Sequence, residues 1–261
     1  MDNVADINFI AQLATTLSFV AAVILGLMGW RIAKKEYLDT RDRKKVENAL
    51  ELARFYVEVL LPESTLVKTV LVSIDSNGEY YNAIDGYAKT NTLQHFSLSE
   101  LNLIFPTPTR LDAIKQMMTE LSGTTIIDAK IRCCTNSEEL GKLVELDAKL
   151  KCDSKTTTSL HQEFRLYLQN LANKLEWFAM NFNHNVADER KVYPSLHQTF
   201  FDLVHRLYYY ISVKNVSEFD RLYSNIRELY VLWYKRYQNA QRTELRSDTT
   251  MQAEIKGKNL S

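Results

Sequence analysis

Residues able to do chemistry are few in this chain and thinly spread. The five histidines are His95, His161, His184, His197 and His205. Asp202 and His205 form a D-x-x-H on one helix face. A metal site in a helical bundle needs Glu-x-x-His from two helices with further carboxylates, and no second copy occurs. No metal and no cofactor are therefore expected, and Asp202 with His205 reads as a local hydrogen bond. There is no Gly-rich phosphate loop, no G-x-S-x-G and no H-E-x-x-H. Cys133, Cys134 and Cys152 are an odd count. Adjacent cysteines pair only with strain, and no spacing fits zinc, so the three read as reduced thiols. What remains is one interval, Arg190 and His197 in RKVYPSLH.

That interval is similar to the Arg-x(4–6)-His of all-α nucleases of the HEPN type. The resemblance implies Arg190 and His197 acting on an RNA phosphate and 2′-hydroxyl. The chain departs from the pattern where Lys191 follows the arginine in place of a polar residue such as Asn, and where Pro194 interrupts the interval. A membrane-tethered RNase is the alternative this leaves, and RNA is a partner only under it.

The elements that must carry these residues are helical. The chain has 261 residues, 32 Lys+Arg against 32 Asp+Glu, and 46% hydrophobic residues. It is too apolar to be mostly disordered, and zero net charge supplies no excess cation for DNA. Only 7 Gly and 4 Pro argue against a turn-rich β fold.

Residues 7–30 carry no charge. As a helix they reach ~36 Å, enough for a hydrocarbon core of ~30 Å. The start is acidic (Asp2, Asp6), and Trp30 and Arg31 follow the run, which argues against a cleaved signal. The fold class expected is all-α, a single transmembrane helix followed by a cytoplasmic helical bundle. The C-terminal flank holds Arg31, Lys34, Lys35, Arg41, Arg43, Lys44 and Lys45 against Glu36, Asp39 and Asp42. The positive-inside rule then sets the N-terminus outside a bacterial inner membrane and the body in the cytoplasm, with those seven cations against lipid headgroups. On the cytoplasmic side the sequons at Asn215 and Asn259 have no meaning. Ala14, Ser18, Ala22 and Gly26 make a small-residue stripe for helix packing and self-association. Gln12, Thr15, Thr16 and Ser18 could line an oligomer that perturbs a bilayer, a further alternative.

The organisation expected is an anchor at 1–30, a basic juxtamembrane helix at 31–62, a helical domain at 63–245 and a polar, disordered tail at 246–261. Val46, Leu50, Ala53, Val57 and Leu60 fall in 4-3-4-3 steps, a heptad-like seam packed on the domain, which Pro62 stops. Residues 64–88 read as helix, with a hairpin at Asn77-Gly78 as the other possibility. Ser97-Leu-Ser-Glu100 is a capping box. Helices follow over 109–121 and 137–150, with a mobile loop at 151–159. Phe164, Leu168, Leu171, Leu175, Phe178 and Phe182 form one face of a long helix. Pro194 suits a first helical residue, before Leu196, Phe200, Leu203, Val204, Leu207 and Ile211. Ser217 and Asp220 can open the last helix, whose face is Phe219, Leu222, Tyr223, Ile226, Tyr230 and Trp233.

Residues 159–240 hold 17 of the 28 aromatics, which reads as a core with hydroxyls at its rim. Tyr209, Tyr234 and Tyr237 are the expected partner surface. The stretch 171–212, with Leu175-Glu176-Trp177, Asp188-Glu189 and an aromatic helix ending at Ile211, resembles bacterial proteins of unknown function that pair one membrane helix with a small cytoplasmic helical domain. The resemblance implies location and architecture, and an ion network of Glu176, Asp188 and Arg190. The function expected is a membrane-anchored interaction or sensor module, more a binding protein than an enzyme, that meets a protein partner or itself. A regulatory or phage-defence role fits that reading.

Overall fold

The computed structural model describes residues 2–75, 77–107, 112, 123–134, 136–150, 154–216 and 221–258, with backbone alone for 2–27, 74, 123–124, 137, 147–150, 154–159, 161 and 244–258. The described residues are all-helical, with no strand among them. In chain order they form α1 (Asp2–Phe55), a π turn (Tyr56–Leu60), α2 (Leu61–Ile74), α3 (Glu79–Asn91), α4 (Leu98–Ile104), α5 (Gly123–Cys133), α6 (Ser137–Leu150), α7 (Ser154–Asn183), α8 (Glu189–Lys214) and α9 (Ser224–Lys258).

The membrane anchor, and with it the inner-membrane localisation, is corrected. Among the described residues no helix is long and apolar enough to cross a membrane. A span needs about 20 mostly apolar residues. The described side chains of α1 begin at Met28, and 10 of the 15 positions from Arg31 to Lys45 are charged. The side chains of 7–27, including the stripe Ala14, Ser18, Ala22 and Gly26 and the polar Gln12, Thr15 and Thr16, lie outside the described residues.

Pro62 does not stop the first helix. Proline removes one N–H and crowds the carbonyl four residues back. The backbone meets this by widening: Leu61 N–H bonds to Tyr56 C=O, five residues back, and Pro62 becomes an early residue of α2. Such a π turn inserts one residue into the helical count. The face of α1 that enters the core is Ala49, Leu52, Tyr56 and Leu60. The seam is therefore one position out: Leu50 and Val57 are 59% and 51% exposed, Val46 and Ala53 are half-buried, and only Leu60 of the five is in the core.

Residues 64–88 are helical and not a hairpin. Gly78, at φ 67°, turns the chain between α2 and α3. Asp75 then caps α3, its carboxylate accepting from Tyr80 N and Tyr81 N at 3.1 Å each. Of the 109–121 helix only residue 112, helical, is described; 151–153 of the mobile loop lie outside the described residues, and its remainder is the start of α7. On α7 the six residues at helical spacing are all buried, as are the six on α8. Helix α8 starts five residues before Pro194, because Asp188 caps it and accepts from Arg190 N at 3.1 Å; Pro194 then stands inside the helix. The last helix opens at Ser224 and runs past the expected boundary to Lys258. Ser217, Phe219 and Asp220 lie outside the described residues.

The core lies where α9 packs on α7 and α8, with the end of α1 laid on α8 and the π turn on α7. Phe178, Phe182, Phe200 and Trp233 meet edge-on or tilted there, with centroids 5.0 to 6.3 Å apart, the geometry ring quadrupoles favour. Helices α2, α5 and α6 form a second layer against α7. The edge of α8 left by these contacts takes α3 and α4, and the polar chemistry of the molecule collects along it.

Candidate functional site

Glu100 is 3% exposed and anchors this edge. The capping box holds only in part: Ser97 Oγ accepts from Glu100 N at 3.3 Å, but the Glu100 side chain reaches past the cap. Its Oε1 accepts from Gln94 N at 2.8 Å, and its Oε2 accepts from His95 N at 2.9 Å and Phe96 N at 2.7 Å. The buried Tyr208 hydroxyl from α8 is the fourth donor, at 2.8 Å. Two carboxylate oxygens can accommodate that many donors. Burial, with the carboxylate beside it, raises the Tyr208 pKa far above the usual tyrosine range and keeps the phenol protonated.

One turn before Tyr208 on the same helix lies a second buried polar group. His205, 2% exposed, shares a 2.7 Å hydrogen bond between its Nε2 and the Tyr230 hydroxyl. Its Nδ1 has no hydrogen-bond partner and lies 3.8 Å from Asp85 Oδ1. Burial lowers its pKa to about 4, against the opposing pull of Asp85 and Asp202. The ring is therefore neutral at pH 7. Nearby, the Tyr80 hydroxyl enters the backbone ladder of α8: it accepts from Tyr209 N at 2.8 Å and donates to His205 C=O at 3.4 Å. A side chain thus bridges a helical bond that would otherwise close directly.

Asp202 does not bond His205. It takes Arg206 with both oxygens, at 3.0 and 3.2 Å, and faces Lys68 at 3.6 Å. Arg206 lies over the Tyr81 ring at 4.6 Å. Burial of Asp202 works against its charge, but Arg206 prevails and its pKa is lowered.

Past Glu100 the surface opens into a cleft of about 440 Å³ between the 95–99 segment and the entry to α9. Its polar lining is His95, Ser97, Ser99, Arg221, Ser224 and Arg227. The two walls are tied by Asn215, 5% exposed. Its Nδ2 donates to Phe96 C=O at 3.0 Å and to Leu222 C=O at 3.1 Å, and its Oδ1 accepts from Leu222 N at 3.0 Å. Phe96 and Tyr223, one on each wall, have φ of 50° and 61°, a region bulky side chains avoid. Behind this entry Glu176 caps α9, accepting from Asn225 N at 3.0 Å and Ile226 N at 2.9 Å.

The residues singled out from the sequence are not drawn together. Arg190 is exposed at the first turn of α8 and His197 half-buried two turns on, about 10 Å along the axis. His197 Nδ1 is 2.8 Å from Tyr193 C=O, and its ring stacks on Tyr193 at 4.6 Å. Tyr209 and Tyr234 are buried at 7% and 3%, while Tyr237 is half-buried. Glu176 and Asp188 cap two different helices, and the bidentate ion pair is instead Glu189 with Arg236, at 2.6 and 2.7 Å. Arg31, Lys34, Lys35, Arg41, Arg43 and Lys44 are exposed, whereas Lys45 Nζ donates to Asn185 Oδ1 at 2.9 Å. Cys133 and Cys134 are free thiols, and Cys152 lies outside the described residues. Among the described residues no group of three or more metal-ligating side chains occurs. Glu100, Glu176 and Asn215 were missed as organisers. The capping box marks Glu100 only as a local cap, and Asn215 stands out in the sequence only as a sequon.

No family model matches the chain, and no curated protein or solved structure is significantly similar to it.

Proposed function

We propose that the chain is an α-helical interaction module that binds a second copy of itself through the outer stripe of α1. The observation carrying this is that Leu50 and Val57, within the heptad spacing of Val46, Leu50, Ala53 and Val57, stay exposed, with half-buried Val46 and Ala53 beside them. The core takes the adjacent face, Ala49, Leu52, Tyr56 and Leu60. Leucine and valine more than half exposed at such spacing are the pattern of a helix seam awaiting a partner helix. From Met28 to Lys44 every residue of α1 is exposed, and a helix without tertiary contacts draws little stability from propensity alone.

Charge selects the direction of pairing. Glu47 and Arg54 flank the same edge of the stripe, and the opposite edge is Ala49 and Tyr56, already buried. A parallel two-fold sets one edge against the opposite one, while an antiparallel two-fold sets an edge against itself. Antiparallel pairing therefore brings Glu47 of each copy beside Arg54 of the other. Arg54 bonds Glu58 at 2.8 Å within one copy, but both are exposed, so that pair is weak and free to exchange.

The buried polar groups favour binding over catalysis. Four donors occupy the Glu100 oxygens and Arg206 holds Asp202, so neither is poised as a general base.

Sedimentation equilibrium of the full chain tests the reading. The expected result is a dimer, weakened about 100-fold by Leu50→Glu or Val57→Glu, which bury a charge in the seam. Glu47→Arg weakens it less, and adding Arg54→Glu restores it. A wild-type monomer at about 100 µM overturns the proposal.

A further inference from the structure

We infer that the cleft between the 95–99 segment and the entry to α9 is a binding site for a phosphate-bearing small molecule, with the phosphate held by Arg221 and Arg227. The cleft's described lining contains no Asp or Glu, while it holds two guanidiniums, His95 and the hydroxyls of Ser97, Ser99 and Ser224. Guanidiniums are permanently charged and present planar forks that match phosphate oxygens. Arg227 Nη2 meets Glu228 Oε1 only at 3.7 Å, with Glu228 57% exposed, a surface pair that a bound anion displaces at little cost. The Ser97 and Ser99 hydroxyls bond each other at 2.8 Å, which leaves one of the two, with Ser224, as neutral donors to complete an anion's shell.

The second observation is the rigidity of this cavity. Phe96 and Tyr223 are two of only four non-glycine residues with positive φ among those described, and both belong to its lining. A bulky residue held there costs about 1–3 kcal/mol. The walls keep these conformations because Glu100 holds the 94–96 N–H groups and Asn215 ties Phe96 to Leu222. Strain maintained by buried polar clamps around an open, cationic cavity is the arrangement of a preorganised ligand site. At about 440 Å³ the cleft exceeds a lone phosphate and falls in the range of small-molecule pockets. The ligand class is therefore a phosphate ester, whose organic part rests on Tyr223 and Leu222.

The helix dipole does not create this site. Glu176 already takes the first N–H groups of α9 from the far side, so the binding charge comes from side chains, and arginine substitutions read it out.

Isothermal titration of the full chain with adenosine 5′-monophosphate and with inorganic phosphate is the test. The expected result is saturable binding of both, tighter for the nucleotide. Arg227→Gln and Arg221→Gln each weaken it by about tenfold or more, the loss of a charge-assisted contact, and Arg227→Lys falls between. Circular dichroism identifies any variant that has lost the fold, and Ser99→Ala, at the cleft rim, then serves as a milder probe. Leu50→Glu binds as the wild type does, which separates this site from the α1 stripe. Absence of binding at about 10 mM probe, or binding that folded arginine variants leave unchanged, overturns the inference.

Discussion

Glu100 and His205 flank the same stretch of α8, both almost wholly buried, and they are satisfied very differently. Glu100 collects four donors, three of them from one loop. His205 has one partner and an Nδ1 that reaches none, with Asp85 Oδ1 3.8 Å away. The first group has both oxygens occupied in the interior because the backbone folds round it. The second stays in the interior by giving up its charge. One is a permanent clamp, the other a group whose protonation the fold opposes.

The largest way to break the contrast is Glu100→Ala. It strands the buried Phe96 N–H, the part-buried N–H groups of Gln94 and His95 and the buried Tyr208 hydroxyl, and it is expected to cost about 3–5 kcal/mol in urea denaturation. A loss under about 1 kcal/mol would mean that water replaces the carboxylate with ease. Next comes pH. His205 has a folded pKa of about 4 against an ordinary value near 6.5, so the unfolded chain takes up the proton first. Its stability contribution is complete above about pH 6.5 and is lost progressively as pH falls toward 4, by about 3 kcal/mol in all. His205→Phe is expected to remove that share of the acid slope, measured as the urea midpoint against pH. Tyr208→Phe, which removes a donor to a carboxylate, is expected to cost about 2 kcal/mol, and Tyr230→Phe, which removes a neutral partner of a neutral imidazole, about 1 kcal/mol. Equal costs for the two phenylalanine variants would erase the distinction between the sites.

The long helical faces were legible in the sequence. Phe164 through Phe182 and Leu196 through Ile211 repeat at helical period, and every one of them is buried. What periodicity does not carry is phase across a break. Pro62 signals an interruption, yet the backbone answers with a π turn in place of an end, and the buried face of α1 proves to be one residue from the seam. Capping overrode proline in the same way at α8, where Asp188 starts the helix and leaves Pro194 inside it. Aromatic identity likewise says nothing of side: Tyr209 and Tyr234 look like surface residues beside Tyr210 and Lys235, and both are core. The organisers of the cleft were hidden for a different reason. Glu100, Asn215 and Glu176 act on backbone groups of other segments, so their partners leave no pattern of residue types. The membrane expectation rested on hydropathy over 7–30, and among the described residues no helix meets the requirement of a span.

The π turn has one further consequence, a matter of counting. Adjacent residues on a helix stand 100° apart, and the outer stripe (Leu50, Ala53, Val57) follows the core face (Ala49, Leu52, Tyr56) by a single step. The five residues Tyr56–Leu60 therefore behave as a ratchet between two apolar faces. One alanine added there turns Leu50, Ala53 and Val57 inward, trading one hydrophobic set for another. One residue removed turns Asn48, Glu51 and Phe55 inward, and the core would have to accept a carboxylate. Length changes of equal size and opposite sign thus have unequal outcomes: tolerated insertion, forbidden deletion.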